Sequence, residues 1–300
     1  MLRDRLYFNN HFAAVDYTID ANGNEVFHTL CVKKAKGELE ILDQSVFHNI
    51  TDVTDKLKSL GLCHTLLNIN STHVLSKSLK SDDVTNAINI AYPRLSLSDF
   101  YYQTKKINED VFVSCVRKQH VEAIKHKFLG NGIHVLDFSL GNLSFFEINE
   151  FVLHENQIYT SNSQISLIAD SQYHLTPKKF KSESYKIEGL LIKSNQILNL
   201  GLIIGFHLKN SSFQTTDTFE NYKQKKIFNS GLKFSLASLF TLMLINFLIF
   251  AYFNEKSNTL DRLLDVDSHR QIELKIIENE VAKKRRVLSF AKSASNIEIS

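Results

Sequence analysis

The chain has 300 residues, of which 43% are hydrophobic and 22% charged, and it contains two prolines, ten glycines and three cysteines. These counts exclude an intrinsically disordered protein, a collagen and a small disulfide-stabilised scaffold. The net charge of +3 is small, so no nucleic-acid partner is indicated. At about 100–200 residues per domain, the length allows two or three folded units.

The start of the chain predicts three successive strands and a short helix. Glycine-containing pairs at 22–23 and 36–37 are turn signals between alternating apolar runs. A polar residue precedes the helix over 51–60, whose apolar residues lie on one side. The predicted strands are residues 11–19, 26–34 and 37–44.

The next segment predicts two strands, a helix and a third strand. Residues 63–79 form a strand pair around Asn70 and Ser71. Ser81 is the predicted N-cap of a helix that Pro93 ends. An aromatic strand over 100–105 follows.

Residues 111–138 predict a β-α-β unit. The strands are 111–116 and 133–138, and the amphipathic helix between them covers 118–129. The apolar side of that helix carries Val121, Ile124 and Leu129. The two strands should be parallel, joined through a right-handed crossover.

Residues 234–253 form the one segment that is not typical of a soluble protein. They are twenty residues without a charge, which as a helix would be about 30 Å long, the hydrocarbon thickness of a bilayer. The alternative is a buried core helix, but such helices rarely lack a charged face over this length. Asn246 near the middle is either a hydrogen-bonding contact to another helix or a tolerated single amide.

The lysines before the apolar run orient it. Four lysines lie within eleven residues on its N-terminal side, whereas Lys256 and Arg262 on the far side accompany acidic residues. By the positive-inside rule, the N-terminal side is cytoplasmic and the C-terminal side lies outside. The orienting residues are Lys223, Lys225, Lys226 and Lys233.

Residues 254–300 predict a helical stalk. Its a/d-type apolar positions are Leu260, Leu263, Leu274, Ile277, Val281 and Leu288. Asp267, Arg270 and Lys284 interrupt this series, so the pattern is that of a weak coiled coil suited to dimerisation. A lone amphipathic helix that packs on another domain is the alternative.

No catalytic, metal-binding or cofactor-binding residues are predicted. The three cysteines are scattered without a zinc spacing, which favours reduced cytosolic thiols. His120 and His126 are six residues apart and therefore do not stack on one helix face. The chain has no phosphate-binding loop, no nucleophile elbow and no zinc-protease motif.

Residues 66–138 resemble the actin-like assembly protein of type IV pili (PilM) and its type II secretion counterpart, the L component. The ordered features are the strand pair LLNINSTHVLSKSL, the segment AYPRLSLSDFYYQ over 91–103, and the strand-helix-strand series ending at Asp137. Residues 197–210 resemble the closing helix of that fold. The resemblance implies an actin-like (ribonuclease H-like) α/β domain.

The remaining segments fit the same family. A basic segment, one span and a helical stalk resemble the companion pilus protein PilN, and a fusion of the two is the layout of the L component. The domains implied are an actin-like cytoplasmic domain (1–212), a basic linker (213–233), the transmembrane helix (234–253) and the extracytoplasmic stalk (254–300). The family's outer part ends in a ferredoxin-like domain, and the 47 residues after the span are too few for it. Either the outer domain is lost or the chain is a truncated version, and we expect the second.

The resemblance also implies a degenerate nucleotide site. Actin-like ATPases hold phosphates with two glycine-containing hairpins of the DxG type, where backbone amides approach the phosphate closely. At the matching place this chain has Asp16, Tyr17 and Thr18, and residues 140–162 contain no DxG. Asp16 is thus expected to be a structural carboxylate and not a metal ligand.

The resemblance implies a non-enzymatic scaffold in a bacterial inner membrane, with the N-terminus in the cytoplasm and the C-terminus in the periplasm. Its expected partners are a secretion or pilus motor ATPase, other platform proteins, and a second helix, in a homodimer or heterodimer, along the span and stalk. A transmembrane signalling protein is the second hypothesis. An active actin-like ATPase is disfavoured by the missing glycines.

Overall fold

The computed structural model describes residues 10–152, 157–168, 172–177, 181–208, 214–215 and 217–295. The chain divides into two units, Met1–Ile227 and Phe228–Ser300. Within the described part of the chain, every strand and every buried side chain belongs to the first unit.

A six-stranded mixed sheet forms the centre of the first unit. Its order is β14-β8-β4-β1-β2-β3, with β1, β2 and β3 antiparallel, β4 parallel to β1, and β8 parallel to β4. The strands are β1 (His11–Ile19), β2 (Glu25–Ala35), β3 (Glu38–Phe47), β4 (His64–Ile69), β8 (His134–Leu140) and β14 (Gln214–Thr215). The predicted α/β class and the three predicted N-terminal strands are confirmed.

The β1–β2 turn lies where the glycine-containing pair at 22–23 predicts a turn. Gly23 has φ +84°, in the left-handed region that favours glycine. The Asp20 carboxylate accepts hydrogen bonds from the backbone N–H groups of Asn22 and Asn24, both at 2.8 Å. These local bonds close the turn and direct β2 back along β1.

A second, three-stranded sheet corrects the predicted β-α-β unit. It has the order β5-β7-β6 and is antiparallel throughout. Its strands are β5 (Leu75–Lys80), β6 (Phe100–Ile107) and β7 (Asp110–Arg117). The expected parallel pairing of β7 with β8 is wrong, because β7 pairs with its hairpin neighbour β6 and β8 pairs with β4.

The two strands predicted around Asn70 are both present, but they lie in different sheets: β4 is in the central sheet and β5 is in the small one. The helix expected from Ser81 is shorter, and α2 covers only Ala87–Ala91. Its predicted cap is wrong: Asp83 Oδ1 accepts from the backbone N–H of Thr85 at 3.0 Å and of Asn86 at 3.1 Å. Because of this turn, the helix begins only at Ala87.

Two crossover helices cover the central sheet. The first, α1 (Ile50–Ser59), is capped by Asn49. The second, α3 (Lys118–Gly130), buries Val121, Ile124 and Phe128. The expected burial of Leu129 is wrong, since its side chain is 47% exposed. The buried positions follow the i, i+3, i+7 spacing, which points Leu129 away from the sheet.

The rest of the first unit is built from short strands and one helix. The strands are β9 (Gln157–Tyr159), β10 (Ser163–Ile168) and β11 (Gln172–Pro177) in one sheet, and β12 (Ser184–Ile187) with β13 (Leu190–Lys193) in a hairpin. The predicted closing helix is α4 (Ile197–Leu208), while residues 209–210 lie outside the described residues. A Cβ on Gly201 would lie 2.0 Å from the Ser144 carbonyl oxygen, so α4 packs directly on the backbone of a neighbouring 3₁₀ turn.

Two side chains of β6 join the small sheet to the rest of the unit. Gln103 donates to the Phe138 carbonyl at 2.9 Å and accepts from the Leu140 N–H at 2.8 Å. Lys105 pairs with the buried Glu147 at 2.7 Å. The small sheet is thereby held beside the carboxyl end of β8, next to the candidate site.

One helix, α5 (Asp217–Ser295), supplies all the described structure of the second unit. It is long and apolar enough to cross a membrane, and no part of its most apolar window is buried. Asn246 and Lys233 lie on this helix, both exposed. The stalk positions up to Leu288 are helical, while residues 296–300 lie outside the described residues.

Candidate functional site

The centre of the sheet has one topological switch point. From β1, the chain adds β2 and β3 on one side and β4 and β8 on the other. In open α/β sheets, ligands bind beyond the carboxyl ends of the strands at such a point. Asp16, Asn68 and Ser139 lie there in one register row across β1, β4 and β8.

Asp16 is the charged residue of this row, and its side chain is completely buried. Its carboxylate accepts a hydrogen bond from Asn68 Nδ2 at 2.7 Å and another from Ser161 Oγ at 2.5 Å. Burial raises the pKa of Asp16 to about 7, although both hydrogen bonds act in the opposite direction. The Asp16 carboxyl therefore keeps its proton to a higher pH than an exposed carboxyl does.

The turn between β9 and β10, residues 160–162, reaches across to the same point. Asn70 Nδ2 donates to Asn162 Oδ1 at 2.9 Å, and Asn162 Nδ2 donates back to the Asn70 carbonyl at 2.7 Å. Ser161 is the donor to Asp16. We call Asp16, Asn68, Asn70, Ser161 and Asn162 the clasp, because they join the end of the central sheet to the β9–β10 hairpin.

Asn68 connects the clasp to the small sheet. Its amide also donates to the Gly141 carbonyl at 3.0 Å. Gly141 has φ +61°, in the region that favours glycine, and a Cβ there would lie 3.1 Å from Ser76 Oγ, so a larger residue would be strained and would displace that side chain. Asn68 Oδ1 and Ser139 Oγ have no hydrogen-bond partner within the part of the chain that the structure describes. The row thus retains some hydrogen-bonding capacity.

The structure places the predicted phosphate-loop residues in a strand. Asp16, Tyr17 and Thr18 lie inside β1, and the turn that follows is residues 20–24. Tyr17 donates to Glu25 Oε1 at 3.1 Å, and Thr18 donates to the Val26 carbonyl at 3.3 Å. These three residues are therefore not a loop. Of their side chains, that of Asp16 hydrogen-bonds within the clasp, and the Tyr17 carbonyl accepts from the Asn70 N–H at 2.9 Å.

Within 140–162, where a second hairpin was expected, the structure describes the β9–β10 turn, which contains Ser161. Of the stretch 140–162, residues 153–156 lie outside the described residues. Among the described residues of the clasp, Asp16 is the one titratable side chain, and no second carboxylate lies within the clasp. Among the described residues, no cluster of three metal-ligating side chains occurs anywhere. Sequence reasoning missed Asn68, Asn70, Ser161 and Asn162 as site residues. The signal for Asn70 is the polar pair that ends an apolar strand, whereas Ser161 and Asn162 lie in a short polar turn with no periodic pattern.

A second polar cluster lies at the opposite end of β4 and β8. Tyr222 of α5 is buried there, with its hydroxyl 3.1 Å from His64 Nδ1 and 3.4 Å from Cys63 Sγ. The Tyr222 ring centroid is 5.4 Å from that of His134. Burial lowers the pKa of His64 to about 4, and the positive charge of Lys226 adds to this effect.

Three of the four orienting lysines lie beside Tyr222 in the first turns of α5. Lys225 is exposed, whereas Lys223 and Lys226 are half-buried. The Lys226 ammonium is 5.9 Å from the Tyr222 ring centroid. Sequence reasoning read 213–233 as a linker and missed Tyr222, a single aromatic residue within a basic run.

No protein-family model and no curated protein matches the chain. Among solved structures, the chain is similar to the cytoplasmic domain of EpsL, an inner membrane component of the type II secretion system of Vibrio cholerae, with 9% identity, a TM-score of 0.37, and coverage of 56% of this chain and 71% of that one. It is similar to a PilM–PilN type IV pilus biogenesis complex, with 9% identity, a TM-score of 0.38, and coverage of 55% and 62%. A Bacteroides thetaiotaomicron protein with an actin-like ATPase fold and unknown function matches with 10% identity, a TM-score of 0.29, and coverage of 62% and 70%. The first two are the kinds of protein that residues 66–138 resemble.

Proposed function

We propose that the chain is a non-enzymatic component of the inner-membrane assembly platform of a type II secretion or type IV pilus-like system. The first unit lies in the cytoplasm, residues 234–253 cross the membrane once, and the rest of α5 forms a periplasmic stalk. The EpsL and PilM–PilN structures and the single apolar helix support this proposal.

The observation that carries the non-enzymatic role is the clasp. A phosphate between the two hairpins would have to displace the Asp16–Ser161 hydrogen bond and would face a buried carboxylate. Glycines that allow backbone amides to approach a phosphate are missing at both hairpins. Polar side chains of the clasp thus occupy the position that a bound phosphate would need. The protein therefore acts by binding its partners and not by nucleotide chemistry.

The proposed partners follow from the layout. A motor ATPase binds on the cytoplasmic side, and other platform proteins contact the span and stalk. The lysines at 223, 225, 226 and 233 support the cytoplasmic assignment of the first unit. A protease added to sealed vesicles of known orientation tests it, since only the cytoplasmic side should expose the first unit to cleavage.

Thermal unfolding of the full chain in detergent, with and without Mg-ATP, tests the absence of nucleotide binding. A ligand at about 100 times its Kd stabilises the folded state by about 2.7 kcal/mol, which is readily measured. We expect no saturable shift beyond that of magnesium sulfate at equal ionic strength. Ser161→Ala should lower the unfolding temperature and still give no shift with nucleotide. Saturable stabilisation of the unmodified chain would overturn the non-enzymatic proposal.

Affinity capture of the full chain from solubilised membranes tests the platform role. We expect a secretion or pilus motor ATPase and inner-membrane platform proteins to be enriched. The matched control is a variant with Leu244→Lys and Leu248→Lys, which should fail to insert and should lose the membrane partners. Capture that contains neither class of protein would contradict the proposal.

A further inference from the structure

Two histidines from different elements of the first unit meet beside the carboxyl end of β4. His73 lies in the turn at residues 71–74, which a hydrogen bond from the Val74 N–H to the Ser71 carbonyl closes at 3.0 Å. His120 is the third residue of α3. The centroids of the two imidazole rings are 4.4 Å apart, with the ring planes at 56°. The contact joins the connection between the central and small sheets to a crossover helix.

The surroundings hold the His120 ring in place and leave His73 accessible. His120 is half-buried, and its ring centroid is 6.0 Å from that of Tyr17. Ser71 is buried, and its Oγ lies 3.4 Å from His120 Nε2. The hydroxyl oxygen can accept from an Nε2–H, and the lone pair of the His120 ring is then on Nδ1. His73 is exposed, so its ring can rotate towards that nitrogen.

Two neighbouring imidazoles are suitable ligands for a divalent transition metal. Zinc binds imidazole nitrogens at about 2.0–2.1 Å, which places two such nitrogens roughly 3.3 Å apart in a tetrahedral site. A centroid separation of 4.4 Å allows two ring nitrogens to reach that spacing. A hydrogen bond from the other ring nitrogen, as from His120 to Ser71, is the usual companion of a metal-binding histidine. Burial lowers the pKa of His120, and His73 adds to this effect, which favours the neutral ring that metals require.

We propose that His73 and His120 bind one divalent transition-metal ion of the Zn²⁺ class, with water completing its coordination. Among the described residues, no third histidine, cysteine or carboxylate joins the pair, so the site is open and its ion exchanges with solvent. Glu25 and Lys127 also act on His120, but they form an ion pair at 2.6 Å and largely cancel. The bound ion fastens the 71–74 turn to α3 and restrains the connection into the small sheet. The site requires neither a membrane span nor a platform role.

Histidine reactivity of the full chain in detergent tests the site. Diethyl pyrocarbonate acylates neutral imidazole nitrogens, and mass spectrometry gives the modification of each histidine with and without zinc chloride. We expect zinc to slow the reaction of His73 and His120 saturably, by roughly three- to ten-fold, because a coordinated nitrogen has no lone pair and the other carries the proton. Magnesium chloride should give no protection, since Mg²⁺ prefers oxygen ligands. His126, exposed on the same helix, should react equally throughout.

A shared ion makes the protection of each histidine depend on the other. His73→Gln should abolish the protection of His120, and His120→Gln should abolish that of His73. His126→Gln is the matched control on α3 and should leave both protected. Because His73 is exposed, H73Q should keep the unfolding temperature of the unmodified chain without zinc, so the test stands even if H120Q is destabilised. Ser71→Ala should raise the zinc concentration needed for half-protection by about ten-fold.

Three results would overturn the two-histidine site. Zinc could protect neither ring, or it could still protect His120 fully in H73Q, which would mean that the two rings do not share an ion. It could also protect the histidines around Tyr222, His64 and His134, in place of this pair.

Discussion

The large hydrophobic side chains are mostly buried in the first unit and exposed in the second. In the first unit the largest aromatic rings are fully buried, including those of Phe27, Phe128 and Phe145. In the second unit Phe240 is 63% exposed and Phe250 is 68% exposed. The first unit supplies its own core, whereas the apolar side chains described in the second unit are exposed and are proposed to need an external apolar phase. For residues 234–253 that phase is proposed to be lipid, and for the stalk it is another helix.

The largest expected effect concerns the span. Leu244→Lys with Leu248→Lys places two charges near the centre of the apolar run, at a cost of about 3 kcal/mol each. We expect most of the variant to be lost from carbonate-washed membranes. Leu260→Lys with Leu264→Lys is the same change at the same spacing outside the run, and it should remain inserted. Equal retention of the two variants would contradict a span at 234–253.

The next effect concerns packing inside the first unit. Gly201→Ala places a Cβ 2.0 Å from the Ser144 carbonyl oxygen, so the backbone of α4 must shift. We expect the unfolding free energy to fall by at least about 3 kcal/mol, measured by chemical denaturation in detergent. Gly130→Ala in α3 meets no atom within 4 Å and serves as the control. A similarly small effect at both positions would show that α4 can move away without loss.

The third effect is a pH dependence at the clasp. Burial raises the pKa of Asp16 from 3.8 to about 7, so between these values the folded chain keeps a proton that the unfolded chain releases. The contribution of Asp16 to stability therefore falls as the pH rises through this window. Asp16→Asn has no such proton, and its stability relative to the unmodified chain should improve by about 2–3 kcal/mol from pH 4 to pH 7.

Other buried groups titrate in the same window, but they are present in both chains and cancel in the difference. The pKa of Asp137 is raised to about 8, and that of His28 is lowered to about 4, each mainly by burial. The control is Asp55→Asn, at an exposed carboxylate of α1. A difference between Asp16→Asn and the unmodified chain that stays constant with pH would mean that Asp16 is ionised throughout.

The smallest effect tests how the stalk is paired. In a parallel pair of identical stalks, Asp267 of one copy faces Asp267 of the other at an a position, and like charges there oppose association. Asp267→Leu should then strengthen self-association in density-matched detergent by about 1 kcal/mol. Asp265→Leu makes the same change two residues away, off the a/d series, and should have no effect. No gain at Asp267 would favour a heterodimer with a different helix.

Local patterns predicted most of the strands and helices of the first unit but not which strands pair. Alternation and glycine turns were sufficient for β1, β2 and β3, because each pairs with its neighbour in sequence. The helix α3 was also located correctly. The pairing of β8 with β4 was missed because a complete small sheet is inserted between them. Proximity along the chain therefore favoured β7 as the partner.

The candidate site was predictable only in part. Asp16 was recognised from the family resemblance, and the absence of glycines was visible in the sequence. Ser161 and Asn162 were not, because a short polar turn has no periodicity and its partner lies 145 residues away. Asp16 lies in a strand and not in a loop because β4 pairs with β1 as far as Tyr17. The sequence near Asp16 does not show this pairing. Long-range contacts of this kind leave no local signal.

The burial of Tyr222 has a practical consequence for preparing a soluble fragment. A fragment that ends at residue 212, at the predicted domain boundary, would remove this ring and leave His64 without its hydroxyl contact. A fragment that ends near Ile227 keeps the contact and still excludes the apolar run. The first turns of α5 thus belong with the first unit in any expression vector, and the helix that carries the apolar run begins as part of the core of that unit.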